Sequence, residues 1–360
     1  MKIVFTGNVF PFGEGFAYGG ERILQYLIQD LSMLGHDIYL FAREGTQINS
    51  KYVKDYIPVG ALQNDVDVHF EAVKTYMENH NIDFDIYQCN YFGDGWNPEI
   101  LDLFNYVELV WNVWCHMGHQ LKQKPFNTVS YSKVLQNDFR AIGMDTTMIH
   151  YGIPEDLYKF QPDKENYACW IGKVEGGKYP KAAAEIAKAA GLKLVIMGPP
   201  YNTGCFFDQV APYIDNQNVF WVRGVDDKMK YEIMSKAKCF LYTNDNSWKE
   251  HFGIVIAEAL AMGTPVIACN RVNQDCSVVV DKLITDGENG FVLNYKDSKD
   301  LDFMVTKGVE LISKLGQIDV KNCRESFEKR FTSKLMARRY EYMYQKINDG
   351  SRFNELTIPF

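Results

Sequence analysis

Residues 249–268 read KEHFGIVIAEALAMGTPVIA, and the order of signals in this stretch decides the fold. Phe252 and Gly253 open an apolar helical run, Gly263 stops it, and Thr264-Pro265 lead at once into the buried strand PVIACN. A glycine-stopped helix running straight into an apolar strand is half of an alternating α/β unit. One residue breaks the pattern. Glu258 is flanked by Ile256, Ala257, Ala259 and Leu260, and a carboxylate buried among them is costly unless something holds its charge.

The first turn of this helix presents backbone N–H groups and the positive end of the helix dipole, a natural seat for phosphate. Glu250 lies just before that seat, and Glu258 about 6 to 8 Å further along the axis. A nucleoside diphosphate sugar spans the arrangement, with its diphosphate at the helix start, its sugar near Glu250 and its ribose diol on Glu258. The alternative is that Glu258 pairs with a structural arginine or lysine while Glu250 is solvated.

Outward from this stretch the same alternation repeats. KIVFTG, a glycine-punctuated loop, the helical run ERILQYLIQDLSMLG and the strand DIYLFA begin the chain; FDIYQCN, VELVWNVWC and MIHYGI read as further strands. Pro154 and Pro162 mark a linker, after which YACWIG, PKAAAEIAKAAG, LKLVIMG, NVFWVRG, DKMKYEIMSKA and CFLYT restart the pattern. Two domains follow: residues 1–160, joined by the tail 340–360, and residues 161–339. In open parallel sheets ligands lie beyond the carboxyl ends of the strands, so chemistry is expected there.

A net charge of -8 disfavours nucleic acid and any broad membrane surface as partners. The basic terminal helix KLMARRYEYMYQK allows peripheral membrane contact at most. No apolar run is long enough to span a bilayer, the start lacks a signal-peptide pattern, and the eight cysteines are scattered without a C-x-x-C pair, which together imply a cytoplasmic protein. Cys115, His116 and His119 are the closest cluster of metal-ligand types, but no second cluster stands near them in sequence, so no metal site is expected. Two D-x-D pairs, Asp65/Asp67 and Asp83/Asp85, are weak metal signals.

A second constellation is WIGKVEGGKYP, which carries Lys173 and Lys178 between a strand and a helix. Its Gly172-x4-Gly177-Lys178 spacing mimics a P-loop, yet Tyr179 stands where a magnesium-binding hydroxyl is needed. The two lysines are suited to neutralising a diphosphate without metal. Gly19 and Gly20, before the first long helix, let a ligand approach the backbone. No G-x-G-x-x-G is present, which argues against a dehydrogenase.

With these pieces in order, the chain resembles retaining glycosyltransferases of the GT-B fold, family four, which carry an E-x7-E signature. The resemblance runs through GGERI, HYGIPEDLYKF, WIGKVEGGKYP, EHFGIVIAEALAMGTPVIA, DGENGFVL and the closing helix. It implies two Rossmann-like doubly wound domains facing across a cleft, with a C-terminal helix crossing between them. It further implies transfer of a hexose from a nucleoside diphosphate sugar, UDP-sugar favoured, to a glycan or lipid-linked acceptor hydroxyl. No cofactor or metal is implied.

By position Glu250 resembles the carboxylate gripping the donor sugar, Glu258 the ribose ligand, and Phe252, Gly253, Ile254 and Val255 the turn whose amides meet the donor. Lys173 and Lys178 resemble the basic pair on the leaving diphosphate, Gly20 the glycine approaching it, and His116 the histidine near the donor sugar. Lys173 replaces the family's arginine, Tyr179 a common glycine, and Tyr151 the asparagine before Gly152. An epimerase or sugar phosphorylase of the same fold, or a non-catalytic nucleotide-sugar-binding protein, are the alternatives. An internal salt link at Glu258, or a crevice occluded far from Lys173, would overturn the picture of an activated sugar gripped by its pyrophosphate with an acidic anchor at each end.

Overall fold

The computed structural model describes residues 1–6, 19–60, 66–90, 105–109, 127–144, 146–272, 274–351 and 356–359, with the side chains of 66–67 and 105–109 left aside. The chain divides into two compact units, Met1–Pro154 with Phe331–Phe360, and Glu155–Arg330.

In the first unit the elements are β1 (Lys2–Thr6), α1 (Gly19–Met33), β2 (Asp37–Arg43), β3 (Asp55–Val59), α2 (Val66–His80), β4 (Ile86–Cys89), β5 (Asn105–Leu109), β6 (Thr128–Ser130), α3 (Lys133–Ala141) and β7 (Thr146–Met148). The strands form one parallel sheet in the order β3-β2-β1-β4-β5-β6-β7. Its centre is apolar because β1 buries Ile3, Val4 and Phe5, while α1 turns Ile23, Leu24, Leu27, Ile28 and Leu31 to one side at helical spacing. Val4, Phe41, Phe70, Val73 and Tyr87 pack into one cluster on the sheet. Pro58 is accommodated inside β3 because that strand is an edge of the sheet.

The second unit contains β8 (Glu165–Ile171), α4 (Pro180–Ala189), β9 (Lys193–Met197), α5 (Thr203–Gln209), β10 (Val219–Val222), α6 (Asp227–Lys236), β11 (Ala237–Tyr242), α7 (Ile254–Ala261), β12 (Val266–Arg271), α8 (Ser277–Val280), β13 (Gly290–Tyr295), α9 (Leu301–Ser313) and α10 (Val320–Glu328). Its parallel sheet has the order β10-β9-β8-β11-β12-β13. The strand order reverses between β8 and β11, which pair directly through Ala168–Cys239 and Cys169–Phe240. The loops leaving the carboxyl ends of these two strands carry Lys173 and Lys178 on one side and Glu250 on the other. Residues 78 positions apart in sequence, such as Gly172 and Glu250, thus sit on loops that start side by side at the switch point, where open α/β sheets hold ligands.

The sequence places the changeovers at 160 and 340; the chain changes over at 154/155 and 330/331 instead. The reason is local. Ile153 pairs with Thr332 as an isolated bridge, with Ile153 N–H donating to Phe331 O and Ser333 N–H to Ile153 O. Gly152 permits this approach, since a Cβ there would stand 2.4 Å from Thr332 O. The expected strand MIHYGI, residues 148–153, is displaced: β7 spans Thr146–Met148 and shares only Met148 with it, while Ile153 bridges to Thr332.

The terminal helix, α11 (Ser333–Asn348), packs on α1 and buries Met336, Tyr340, Met343, Tyr344 and Ile347. Tyr344 donates from its hydroxyl to Gln88 on β4, 2.9 Å away. Among the described residues no helix is long and apolar enough to cross a membrane.

Candidate active site

The loop after β8 is bolted to the loop after β11 through the backbone. Asp245 N–H donates to Gly177 O (2.9 Å), Gly177 N–H to Asp245 Oδ2 (3.2 Å), and the Thr243 hydroxyl to the carbonyls of Lys178 (3.1 Å) and Tyr179 (2.9 Å). Trp170 on β8 donates to the same Thr243 hydroxyl at 3.0 Å. Gly198, after β9, has φ +138°, and a Cβ there would lie 1.9 Å from Gly172 O, so the turn at the root of the lysine loop requires glycine. Tyr179 itself sits at φ 48°, the left-handed region where glycine is at ease, and its hydroxyl bonds to Ser298 O at 3.1 Å. The loop is therefore fixed from three sides.

This geometry brings Lys178 and Glu250 together. Lys178 Nζ lies 3.5 Å from Glu250 Oε2, and the pair is largely withdrawn from solvent, with side-chain exposures of 17% and 11%. Glu250 is held by four groups: the Tyr242 hydroxyl donates to Oε2, Trp248 Nε1–H donates to Oε2 at 3.2 Å, Phe252 N–H donates to Oε1 at 3.0 Å, and Lys178 supplies the charge. Burial works to raise the Glu250 carboxyl, but the Lys178 ammonium and the hydrogen bonds from Tyr242, Phe252 and Trp248 outweigh it and hold it at about 2. Burial pulls the Lys178 ammonium below the ordinary lysine range, and Glu250 pulls it back.

A carboxyl depressed in the folded state stabilises the fold fully above its unfolded value near 4.5 and loses that contribution as pH falls toward about 2. The acid limb of unfolding free energy against pH is therefore expected to be shallower in Glu250→Gln than in the wild type. An unchanged limb measured by chemical denaturation would contradict this placement.

Gly253, at φ 76°, turns the chain into α7, and no side chain caps the helix start. Phe252 is buried beneath it, and Ile254 and Val255 open the helix half-buried. Lys173 lies with its ammonium 4.6 Å from the centre of the Tyr201 ring, near enough to Lys178 for its charge to push the Lys178 pKa down. The structure thus brings together the uncapped start of α7, Glu250 and Lys178, with Lys173 near by. Gly19 and Gly20 begin α1 in the other unit. His116 lies outside the described residues, as do Cys115, His119 and Asp65. Asp85 serves structure: its Oδ2 accepts from Lys2 N–H at 2.7 Å.

Glu258 departs from the ribose expectation. Its Oε1 accepts from Lys230 Nζ at 2.6 Å and from the Tyr158 hydroxyl at 2.7 Å, and Lys230 also donates to Tyr158 at 2.9 Å. Lys230, on α6, is 7% exposed at the side chain and Glu258 3%. Arg324 fixes this corner by donating to the carbonyls of Tyr158 (2.7 Å) and Ala261 (2.9 Å). The charge that asked for a partner has one inside its own unit, and the case for a ribose diol there falls with it. The sequence reading missed Lys230; the signal that could have found it is its place four residues before Met234 in the helical run DKMKYEIMSKA. Tyr158, Tyr242 and Trp248 carried no comparable signal.

Residues 158–310 match the model of the family glycosyl transferases group 1, a span holding Lys173, Lys178, Glu250 and Glu258. The alpha-1,3/1,6-mannosyltransferase alg-2 of Neurospora crassa is 30% identical over 137 residues, 37% of this chain and 26% of that protein, so the likeness spans about a quarter of the relative. Among solved structures, sucrose-phosphate synthase from Thermosynechococcus elongatus superposes with a TM-score of 0.75 at 16% identity, covering 97% of this chain and 99% of that one. AviGT4, a glycosyltransferase involved in avilamycin A biosynthesis, gives a TM-score of 0.70 at 18% identity, covering 97% and 98%. The fold is that of the GT-B glycosyltransferases, with two Rossmann-like units.

Proposed function

We propose that this chain is a retaining, metal-independent glycosyltransferase that moves a hexose from a nucleoside diphosphate sugar to the hydroxyl of a glycan or lipid-linked acceptor. The observation that carries the reading is the Lys178–Glu250 pair at the uncapped start of α7, inside the span that matches glycosyl transferases group 1. The free thiols of the described cysteines, mostly buried, favour a reducing compartment, and we place the reaction in the cytoplasm.

In this reading the diphosphate docks at the start of α7 and on the two lysines. As the bond between the anomeric carbon and the phosphate oxygen breaks, its electron pair stays on the leaving phosphate. Lys178, Lys173 and the first-turn amides of α7 stabilise that charge, the part a metal takes elsewhere. The acceptor oxygen forms the new bond on the same face while its proton passes to the departing phosphate, so the anomeric configuration is kept. Glu250, pinned by Tyr242, Trp248 and the Phe252 amide, presents an anion to the donor sugar's hydroxyls and to the positive charge that grows on its ring. His116 is assigned to the same sugar by its place after VELVWNVWC. Glu258 is given no donor contact.

The test is product analysis with isotopically labelled UDP-, GDP- and ADP-hexoses, UDP-hexoses first by family frequency and a mannosyl donor alongside because the alg-2 relative is a mannosyltransferase. Label recovered in a new glycoside with release of nucleoside diphosphate supports transfer. Label recovered as an epimerised donor or a sugar phosphate overturns it. Transfer is expected to persist in excess EDTA, and its complete loss there, restored by a divalent cation, would overturn the metal-independent mechanism.

A further inference from the structure

Lys178 faces more than a carboxylate. Its Nζ stands 3.6 Å from the centre of the Trp248 ring, 3.4 Å from the Tyr242 hydroxyl and 3.5 Å from Glu250 Oε2. A charge-assisted N–H···O bond is shorter, about 2.7 to 2.9 Å. The carboxylate therefore attracts the ammonium without gripping it, and the indole face supplies the close contact. The indole is fixed in its turn. Gly177 lies against it, since a Cβ there would stand 3.2 Å from Cε3 of Trp248, and Nε1–H donates to the same Glu250 oxygen that faces the lysine.

We propose that Trp248 is a positioning residue for Lys178, holding the ammonium on its ring face and the opposing carboxylate on its N–H so that the lysine's own donors stay directed at an arriving diphosphate. This rests on the reading that Lys178 meets the donor's pyrophosphate. The physical point is the bookkeeping of protons. A ring face attracts a cation through its quadrupole and consumes no N–H donor directionally, whereas a short carboxylate bond would consume one or two of the three. Tyr242, 4% exposed, closes the other side and donates to Glu250, which keeps the carboxylate turned toward the lysine without tightening on it.

Titration of full-length protein with inorganic pyrophosphate by calorimetry tests the assignment without requiring a known sugar or acceptor. Trp248→Leu is expected to bind about tenfold more weakly, between the sizes of an exposed and a desolvated cation–π contact, while Trp248→Phe, which keeps a ring face and loses the N–H, stays within about threefold of wild type. The pH profile separates positioning from mere packing. Lys178 is faced by Glu250, the Tyr242 hydroxyl, Glu175 and Lys173, and burial lowers its pKa. Leucine keeps the site apolar but withdraws the ring's attraction for the ammonium, so in Trp248→Leu the alkaline limb of pyrophosphate binding moves to lower pH, an effect that packing alone does not produce.

Equal or tighter binding by Trp248→Leu, or an alkaline limb that stays in place, overturns the proposal. Should the leucine variant not fold, a tenfold loss in Trp248→Phe does the same, because a retained ring face would then not hold the lysine in place. A chain that transfers no sugar from any donor yet shows this Trp248 dependence keeps the cage and loses the glycosyltransferase reading. Sugar transfer together with wild-type pyrophosphate binding in Trp248→Leu does the reverse.

Discussion

Lys178→Ala is expected to lower turnover about a hundred- to a thousandfold, the range seen when one preorganised donor is removed from a developing oxyanion. The variant should remain folded, because Glu250 keeps the Tyr242 hydroxyl, the Trp248 N–H and the Phe252 amide when the ammonium is gone. The effect belongs to the transition state, where charge accumulates on the leaving phosphate, more than to ground-state binding. Turnover should therefore fall further than donor affinity. Lys178→Arg keeps the charge but presents a planar guanidinium to an indole and two loops fitted around an ammonium, so it is expected to recover part of the rate. Steady-state kinetics on the purified variants measures this, and near-normal turnover in Lys178→Ala removes the lysine from the mechanism.

The second large effect lies away from the proposed chemistry. Lys230→Met should lower unfolding free energy by about 3 to 5 kcal/mol, because it strands the Glu258 carboxylate, 2% exposed, beside a tyrosine hydroxyl that cannot neutralise it. Replacing both charges, Lys230→Met with Glu258→Leu, should return much of that loss, since a packed apolar pair spares the desolvation of two ions. Denaturant unfolding of the two single variants and the double variant forms a cycle. Losses that simply add would show that the pair is not coupled and would contradict the geometry of this corner. If the restored double variant also keeps its donor affinity, Glu258 has no part in binding ribose.

Much of the architecture was legible because its signals are local and repeated. The apolar run KIVFT before the glycine loop, the helical spacing of Ile23, Leu24, Leu27 and Leu31, and the stop at Gly263 each follow from one element's own chemistry. The neighbourhood of Lys178 and Glu250 was legible for a different reason. Both lie on loops after strands that a doubly wound sheet sets side by side, so topology alone joins them.

What escaped was decided by tertiary contact. The changeover at 154 depends on a bridge from Ile153 to Thr332, a pairing no spacing reveals. Glu258 was correctly singled out as a charge in need of a partner, but whether that partner is a ligand or a lysine on another helix is a question of distance. Trp248 stands two residues before Glu250 in a polar loop, and no spacing singles it out. Its role comes from the ring lying against Gly177 and over Lys178.

The central claim is that the start of α7, Lys178 and Glu250 form a seat for the diphosphate of an activated sugar. A thermal-shift series of UDP-, GDP- and ADP-sugars against the wild type and Lys178→Ala tests it most directly, since a ligand bound only by the folded form raises its apparent stability. At least one donor should raise the melting temperature of the wild type and raise that of Lys178→Ala clearly less. No shift with any donor, or the same shift in both proteins, would contradict the claim.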